Sequence, residues 1–394
     1  MKRLTILDGM RGWFLVTMTI SHIILNGDVW VKEAHFARVM FVESAQGFIF
    51  LAGLLAGILL TSKLSKNGFE SGARWAAGRV VKLWIVSVGM ILGAMYLRQY
   101  LPDGAWVFRN WLGFSGPAET SRAIAVATLA YQPTFMDILP QYILYLAAAP
   151  ALVWLVMRGH WPLVAGLSLI AWLSVQLGLW MPMGQAVNAA LEAHDGQGLR
   201  MAFQPAAWQI AFVTGLILGT LWRAGKLDPD RFFPETSHLA LGVAVVLAFF
   251  VPLRILTAHG WLPNDVLNVF AQMETRRTFG PVYLVSFLSA AWLLGWTLYR
   301  GGATGIHWLD RFAHGLRGIL SWRLAEVMGR HSMLIYVWHV VLVYGLYYID
   351  SFGGPFDVIG RNVMSFVVLM LLPLPALFLE HQPQIMGAQK TQGS

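Results

Sequence analysis

The sequence predicts an all-α, polytopic integral membrane protein with about ten transmembrane helices and both termini cytoplasmic. Three observations carry that reading. Hydrophobic residues make up 57% of the 394-residue chain and charged residues only 12%, too apolar a balance for a soluble domain. Apolar runs of about 17 to 25 residues recur along its length, which suits helices crossing a hydrocarbon core of about 30 Å, whereas barrel strands would be shorter and alternating. Lys and Arg gather in connections that an inside N-terminus places in the cytoplasm, with exceptions such as Arg276 and Arg277 on the opposite face.

The expected spans are roughly residues 9–26, 44–62, 75–97, 134–157, 162–182, 205–223, 238–256, 280–299, 327–348 and 361–380. Met1-Lys2-Arg3 ahead of an apolar run resembles a secretion signal, but no small-residue cleavage site follows, and Arg11 and His22 interrupt the run. It reads as a retained first helix. Neither an internal repeat nor a low-complexity segment divides the chain, apart from a short polar tail at 387–394, and residues 1–394 read as a single transmembrane domain. The net charge of +8 does not point to nucleic acid, because the basic residues are spread over many membrane boundaries. Without cysteine there is no disulfide framework, thiol nucleophile or thiolate metal site. The adjacent His194 and Asp195 lack further ligands at fixed spacing, so no metal site is expected.

The first helix is the most informative element. Arg11 and His22 lie eleven residues apart, which puts them roughly 20° apart around the axis and about 16 Å along it. Ionisable groups on one face of a spanning helix are costly against lipid, so both should point into the protein. His22 is able to exchange a proton near neutral pH and suits a general base towards the outer half of the membrane. It reads equally as a histidine bonded to a helix carbonyl, and Arg11 either binds an anion or pairs with Asp8.

Further along, Arg79 and Lys82 share a face, with Arg74 nearby, and either clamp phosphates or snorkel to the cytoplasmic interface. Glu43 and Gln46 open the second span, where a carboxylate can orient a histidine or simply complement the helix dipole. Asp137 starts the fourth span, and His339 and Glu380 fall in or near the last ones; each reads also as a capping acid or a packing histidine. The outer connection 98–133 carries Trp106, Arg109, Trp111, Arg122 and Tyr131, which suit either a carbohydrate or an interfacial aromatic belt. Residues 300–330 alternate cations with large apolar residues, the pattern of a segment lying on the membrane surface or holding the phosphates of a cytosolic coenzyme.

In chain order, Asp8-Gly-Met-Arg11-Gly, the Arg-x10-His spacing ending at His22, Ser44-Ala-Gln-Gly-Phe-Ile-Phe-Leu-Ala-Gly53, Phe135-Met-Asp137-Ile-Leu-Pro140, Pro205-Ala-Ala-Trp208-Gln209 and Gly329-Arg-His-Ser332 together resemble the OpgC family. Those membrane acyltransferases substitute osmoregulated periplasmic glucans, and they resemble in turn the broader acyltransferase family 3. The resemblance implies a bacterial inner-membrane enzyme with no permanently bound cofactor. It would carry an acyl group, succinyl foremost, from cytosolic acyl-CoA to a glucan hydroxyl on the far side, with acyl-CoA, glucan and membrane lipid as its partners. It implies catalytic roles for Arg11 and His22. Gln46 stands where a glutamate is expected and Ala52 where a serine is, so Glu43 becomes the nearer acidic partner. The phosphate-binding Arg-x-x-Arg pair would fall on Arg79 and Lys82, supported by Arg74; lysine keeps the charge but loses the planar fork. Asp137, Trp208, Gln209 and His339 are assigned to the acceptor. The alternative class is a transporter or flippase for an envelope glycan or lipid-linked sugar, in which Arg11, His22 and Glu43 form a polar path.

Overall fold

In the computed structural model, residues 5–114, 116, 119–195, 198–235 and 237–381 are described. The tail at 387–394 and the side chains of His194 and Asp195 lie outside the described set. Among the described residues all regular structure is helical, and the extended pairing is limited to an isolated bridge between Tyr131 and Arg200.

Among the described residues, seven helices are long and apolar enough to cross a membrane, or eight if the pair Trp161–Gln176 and Met181–Ala193, bent by 67°, is one span. The difference from the expected ten has three physical sources. The second and third expected spans are two helices within Ser44–Leu97 that meet at a non-helical kink at Gly68, where φ is 76° and ψ 174°, and that count as one of the seven. Only glycine enters that region without a Cβ clash, so the chain reverses there without leaving the helix on either side. The fifth expected span is the bent pair. The first helix, Thr5–His22, contains Asp8 and Arg11 and falls below the apolarity of the other seven.

The chain divides into two compact units: Met1–Phe48 with Phe233–Ile255 and Ser289–Ser394, and Ile49–Phe232 with Leu256–Leu288. In the first unit the Thr5–His22 helix packs on Arg323–Arg330, and small residues set the distance. A Cβ at Gly9 would lie 1.6 Å from the Leu320 carbonyl oxygen, one at Gly12 2.0 Å from that of Ala325, and one at Gly329 1.7 Å from that of Asp8. Backbone therefore meets backbone along the whole seam, as small residues permit between membrane helices. Trp13 closes its edge, donating its Nε1–H to the Ile319 carbonyl at 2.8 Å. The connection after the first helix is tied to the last two helices, Ser332–Phe352 and Val358–Leu371. Buried Asp350 accepts hydrogen bonds from the Asn26 backbone and side-chain amides at 2.9 and 2.8 Å and from the Phe356 N–H at 2.9 Å. Asn362 accepts from the Trp30 N–H at 2.8 Å. Ile23, Leu25 and Val29 pack there against Leu346 and Val368.

In the second unit, the Ser44–Leu97 and Pro205–Arg223 helices meet in the same way. A Cβ at Gly53 or Gly57 would strike the Phe212 or Leu216 carbonyl, and one at Gly215 or Gly219 would strike that of Phe50 or Leu54. The connection that follows Leu97 folds around buried cations. Arg98 donates to the carbonyls of Gly113 and Phe114, and the fully buried Arg122 lies 3.9 Å from the centre of the Tyr131 ring. Tyr131 donates its hydroxyl to the Leu112 carbonyl at 2.8 Å.

The seam gives a direct prediction. Gly12→Ala should lower the thermal midpoint of the detergent-solubilised chain, because overpacking against a backbone costs about 1–3 kcal/mol. Gly78→Ala, at a helical glycine with open space around it, should leave the midpoint unchanged or raise it slightly.

Candidate active site

The first helix brings its two ionisable residues to one neighbour. Arg11 donates from Nη2 to the Ser332 hydroxyl, at the start of Ser332–Phe352, and its guanidinium lies 5.8 Å from the centre of the Phe48 ring. Eleven residues on, His22 Nδ1 lies 3.1 Å from His339 Nε2 on that same helix, with the ring centres 5.3 Å apart. Both rings are buried, His339 completely.

The hydrogen-bond chain fixes which nitrogen does what. The Nδ1 of His339 faces the Tyr336 carbonyl oxygen, which can only accept, so that nitrogen carries the ring proton. In a neutral imidazole the other nitrogen is then the acceptor. His22 donates Nδ1–H to it, and the acceptor nitrogen of His22 becomes Nε2. A carbonyl thus sets one histidine's tautomer, and that histidine sets the other's.

Elsewhere in the first unit, Glu43 and Gln46 are buried at 6% and 0% exposure. The Glu43 N–H donates to Gln46 Oε1 at 2.8 Å, the reaching-back half of a capping box at the start of Ser44–Leu97. The Nε2 of Gln46 has no hydrogen-bond partner among the described residues. Ser44 donates its hydroxyl to Thr17 Oγ1 at 2.8 Å, and His35 Nε2 reaches the Thr17 carbonyl at 3.0 Å, so the start of this helix is pinned to the first one. Glu380 pairs with Arg330 at 2.9 Å and with His331 at 3.2 Å, which joins the end of the last span to the turn before Ser332.

In the second unit, Arg74, Arg79 and Lys82 are exposed. Arg74 pairs with Glu70 one turn away, and exposed pairs of this kind contribute about 0–1 kcal/mol. Lys63 and Arg79 lie 5.5 and 5.8 Å from the centre of the Trp75 ring. The bend at Gly68 brings Lys63 from one arm to a ring on the other, with Leu64 against Gly72 between them. Sequence reading missed Lys63 and Trp75; the signal was the isolated glycine between two basic runs.

Asp137, Trp208 and Gln209 sit among packing contacts of this unit. Asp137 is buried at the N-terminus of Ile138–Met157, within the field of Arg276. Trp208 is fully buried between Phe203 and Phe279, ring centres 4.2 and 5.0 Å away, and donates to the Arg276 carbonyl at 3.1 Å. Gln209 exchanges hydrogen bonds with Ser168, donating to its carbonyl at 2.8 Å and accepting from its hydroxyl at 2.7 Å. Of the outer aromatic residues, Trp111 and Tyr131 are buried pillars, while Trp106 is 67% exposed with Arg109 stacked 3.4 Å over its ring.

What this arrangement offers chemically is a buried, oriented imidazole base at one height of the first unit and an arginine at another. The second unit adds a separate exposed group of cations. No curated protein and no solved structure matches the chain. Residues 3–384 match the family described as OpgC protein. Because that match spans nearly the whole chain and takes in the first-helix pair and the Gly329-Arg-His-Ser332 turn, the chain belongs to the OpgC protein family, which implies an acyltransferase-type enzyme of periplasmic glucan modification.

Proposed function

We propose that the protein is an inner-membrane O-acyltransferase that moves an acyl group, succinyl foremost, from cytosolic acyl-CoA to hydroxyls of a periplasmic glucan. The observation that carries this reading is the buried His22–His339 pair, whose tautomers run from the Tyr336 carbonyl to a basic Nε2 on His22. A sugar hydroxyl is a poor nucleophile until a base removes its proton in the transition state. Nε2 of His22 takes that proton. The hydroxyl oxygen bonds to the thioester carbonyl carbon as its proton leaves, the C–S bond breaks, and the thiolate takes the proton held on His22, so that the coenzyme departs as a thiol and His22 returns to its neutral form. The positive charge that develops on His22 is shared towards His339, and Glu43 is the buried acid assigned to balancing it.

Arg79 and Lys82, with Arg74 released from its weak pair, bind the coenzyme's phosphates in this reading, and Arg11 binds an anionic part of the donor. Asp137, Trp208 and Gln209 belong to the acceptor side in this reading, Trp208 by holding the loop that carries Arg276 and Gln209 by tying its helix to Ser168. Ten crossings follow in this reading when the two helices of Ser44–Leu97, the bent pair and the first helix each count as spans; an even number leaves both termini on one side, which the distribution of Lys and Arg makes the cytoplasm.

The decisive experiment follows free CoA together with the mass and charge of a neutral glucan, using reconstituted protein and succinyl-CoA. The parent should release CoA and add acyl groups in equal amount. His22→Ala should lower the rate about 10²–10⁴-fold, the usual contribution of a general base. Passage of unaltered glucan across the bilayer without CoA release would replace this reading with transport.

Two variants separate the remaining roles. His339→Phe keeps the base but removes the acceptor that fixes its tautomer, so kcat should fall at least about tenfold with KM for acyl-CoA unchanged. Arg79→Ala and Lys82→Ala should each raise KM for acyl-CoA about tenfold at nearly constant kcat, since a charge-assisted hydrogen bond contributes about 1.5–3 kcal/mol. Lys82→Arg should hold that KM or lower it. A KM unmoved by all three would take the coenzyme away from this helix.

A further inference from the structure

The helix His307–Leu320 carries three sectors that the acyl-transfer chemistry does not use. At about 100° per residue, Ala313 and Leu320 fall together on one side, and both are buried. Trp308, Phe312 and Ile319 fall within roughly 40° of one another on a second side. They are 71%, 57% and 55% exposed. His307, Arg311 and His314 form a third sector beside it, within about 60°, and all three are exposed.

The rest of the helix is committed inward. Arg317 donates from Nη2 to the Leu298 carbonyl at 2.8 Å, where the preceding span ends. Asp310, the helix's one acid, accepts from the N–H groups of Gly302 and Thr304 at 3.0 Å each and from the Thr304 hydroxyl at 2.6 Å. Those hydrogen bonds, Thr304's first, hold its carboxyl below the usual carboxylate range. Its charge is folded onto the preceding loop rather than set beside Arg311.

A solvent-facing helix has no reason to expose two large aromatic rings beside a row of basic side chains, Arg311 between His307 and His314. A helix at the boundary of headgroups and acyl chains has a reason for each sector. We propose that His307–Leu320 is a lipid-binding surface, its Trp308–Phe312–Ile319 face seated among acyl chains and its His307–Arg311–His314 face against anionic headgroups. The bilayer is the occupant because charge and apolarity lie side by side along the helix, the order that a headgroup-to-chain boundary presents. The consequence reaches the first helix, whose Gly9 and Trp13 rest on the Leu320 and Ile319 carbonyls. That helix is the one with too little apolar surface to hold itself in the membrane, so the lipid-seated neighbour sets its depth.

The absence of cysteine makes the test clean. Full-length Trp308→Cys, Phe312→Cys and Ala303→Cys variants, the last in the adjacent loop, are labelled with a polarity-sensitive fluorophore. They are then reconstituted into vesicles of phosphatidylcholine and phosphatidylglycerol that contain a lipid with a nitroxide just below its headgroup. Labels at 308 and 312 should be quenched severalfold more than the label at 303. In the same vesicles, Arg311→Gln should reduce the enrichment of phosphatidylglycerol around the protein about fivefold, the effect of one cation near an anionic surface. Equal quenching at all three positions overturns the lipid face, and unchanged enrichment overturns the headgroup face. Shielding of the 308 and 312 labels by added CoA, rather than by lipid, would make the segment a coenzyme site.

Discussion

Hydrocarbon offers no hydrogen bonds, so a helix carrying Arg11 and His22 is tolerable only where the protein brings it partners. The contact that does so is backbone against backbone at Gly9, Gly12 and Gly329. Because a single added methyl group at any of the three would strike a carbonyl, the first helix has one height on its neighbour and little freedom to slide. That height sets Arg11 beside Ser332, His22 beside His339 and Asn26 beside Asp350. The three pairs ascend together, so the first helix and Ser332–Phe352 run parallel. Ser332 and His339 are separated by about 10 Å of rise against about 16 Å between Arg11 and His22, and the long arginine side chain takes up the difference. A glycine seam therefore acts on chemistry at a distance, by fixing which histidine meets which.

The same device appears in the second unit, where Gly53 and Gly57 face carbonyls of one helix and Gly215 and Gly219 return the contact. With lipid as apolar as leucine, burial of side chains gives membrane helices little reason to associate, and close backbone approach supplies the dispersion that holds them. Helix propensity alone would mark these glycines as weak points. Their spacing of four residues, one turn apart, is what turns them into a packing face.

The spans were legible because run length and apolarity are local properties: the helices Ile138–Met157, Pro205–Arg223 and Ser332–Phe352 fall close to the apolar runs that predict them. What the runs did not carry was the sharp junction between the second and third spans, since a single positive φ at Gly68 joins two helices and no hydropathy window registers it. At the site, Arg11 and His22 were legible individually, as costly residues on one face. Their partners were not, because Ser332 and His339 lie more than three hundred residues away and carry no local sign of the pairing. Asp350, which holds three N–H groups, looked in sequence like any acid at a span's end. Trp208 and Gln209 show the converse: their motif was visible, but Ser168 and the Arg276 carbonyl, which they hold, became evident only in the fold.

Two of the three departures from the expected pattern, at 82 and 46, differ in what they change. At 82, lysine for arginine leaves the charge in place and removes a planar fork, so its effect is confined to the geometry of phosphate binding. At 46, glutamine for glutamate leaves the helix start intact, because the oxygen that accepts the Glu43 N–H is one that either residue supplies. The change is in charge. Glu43 and Gln46 are both buried and one turn apart, and two carboxylates so placed would repel, forcing one of them to stay protonated. A neutral residue at 46 removes that conflict and leaves the segment's carboxylate at 43, about 5 Å further back along the chain's rise. The acid is thereby shifted rather than lost: the buried amide at 46 bonds the Glu43 backbone and leaves Glu43 as the acidic side chain at the start of this helix.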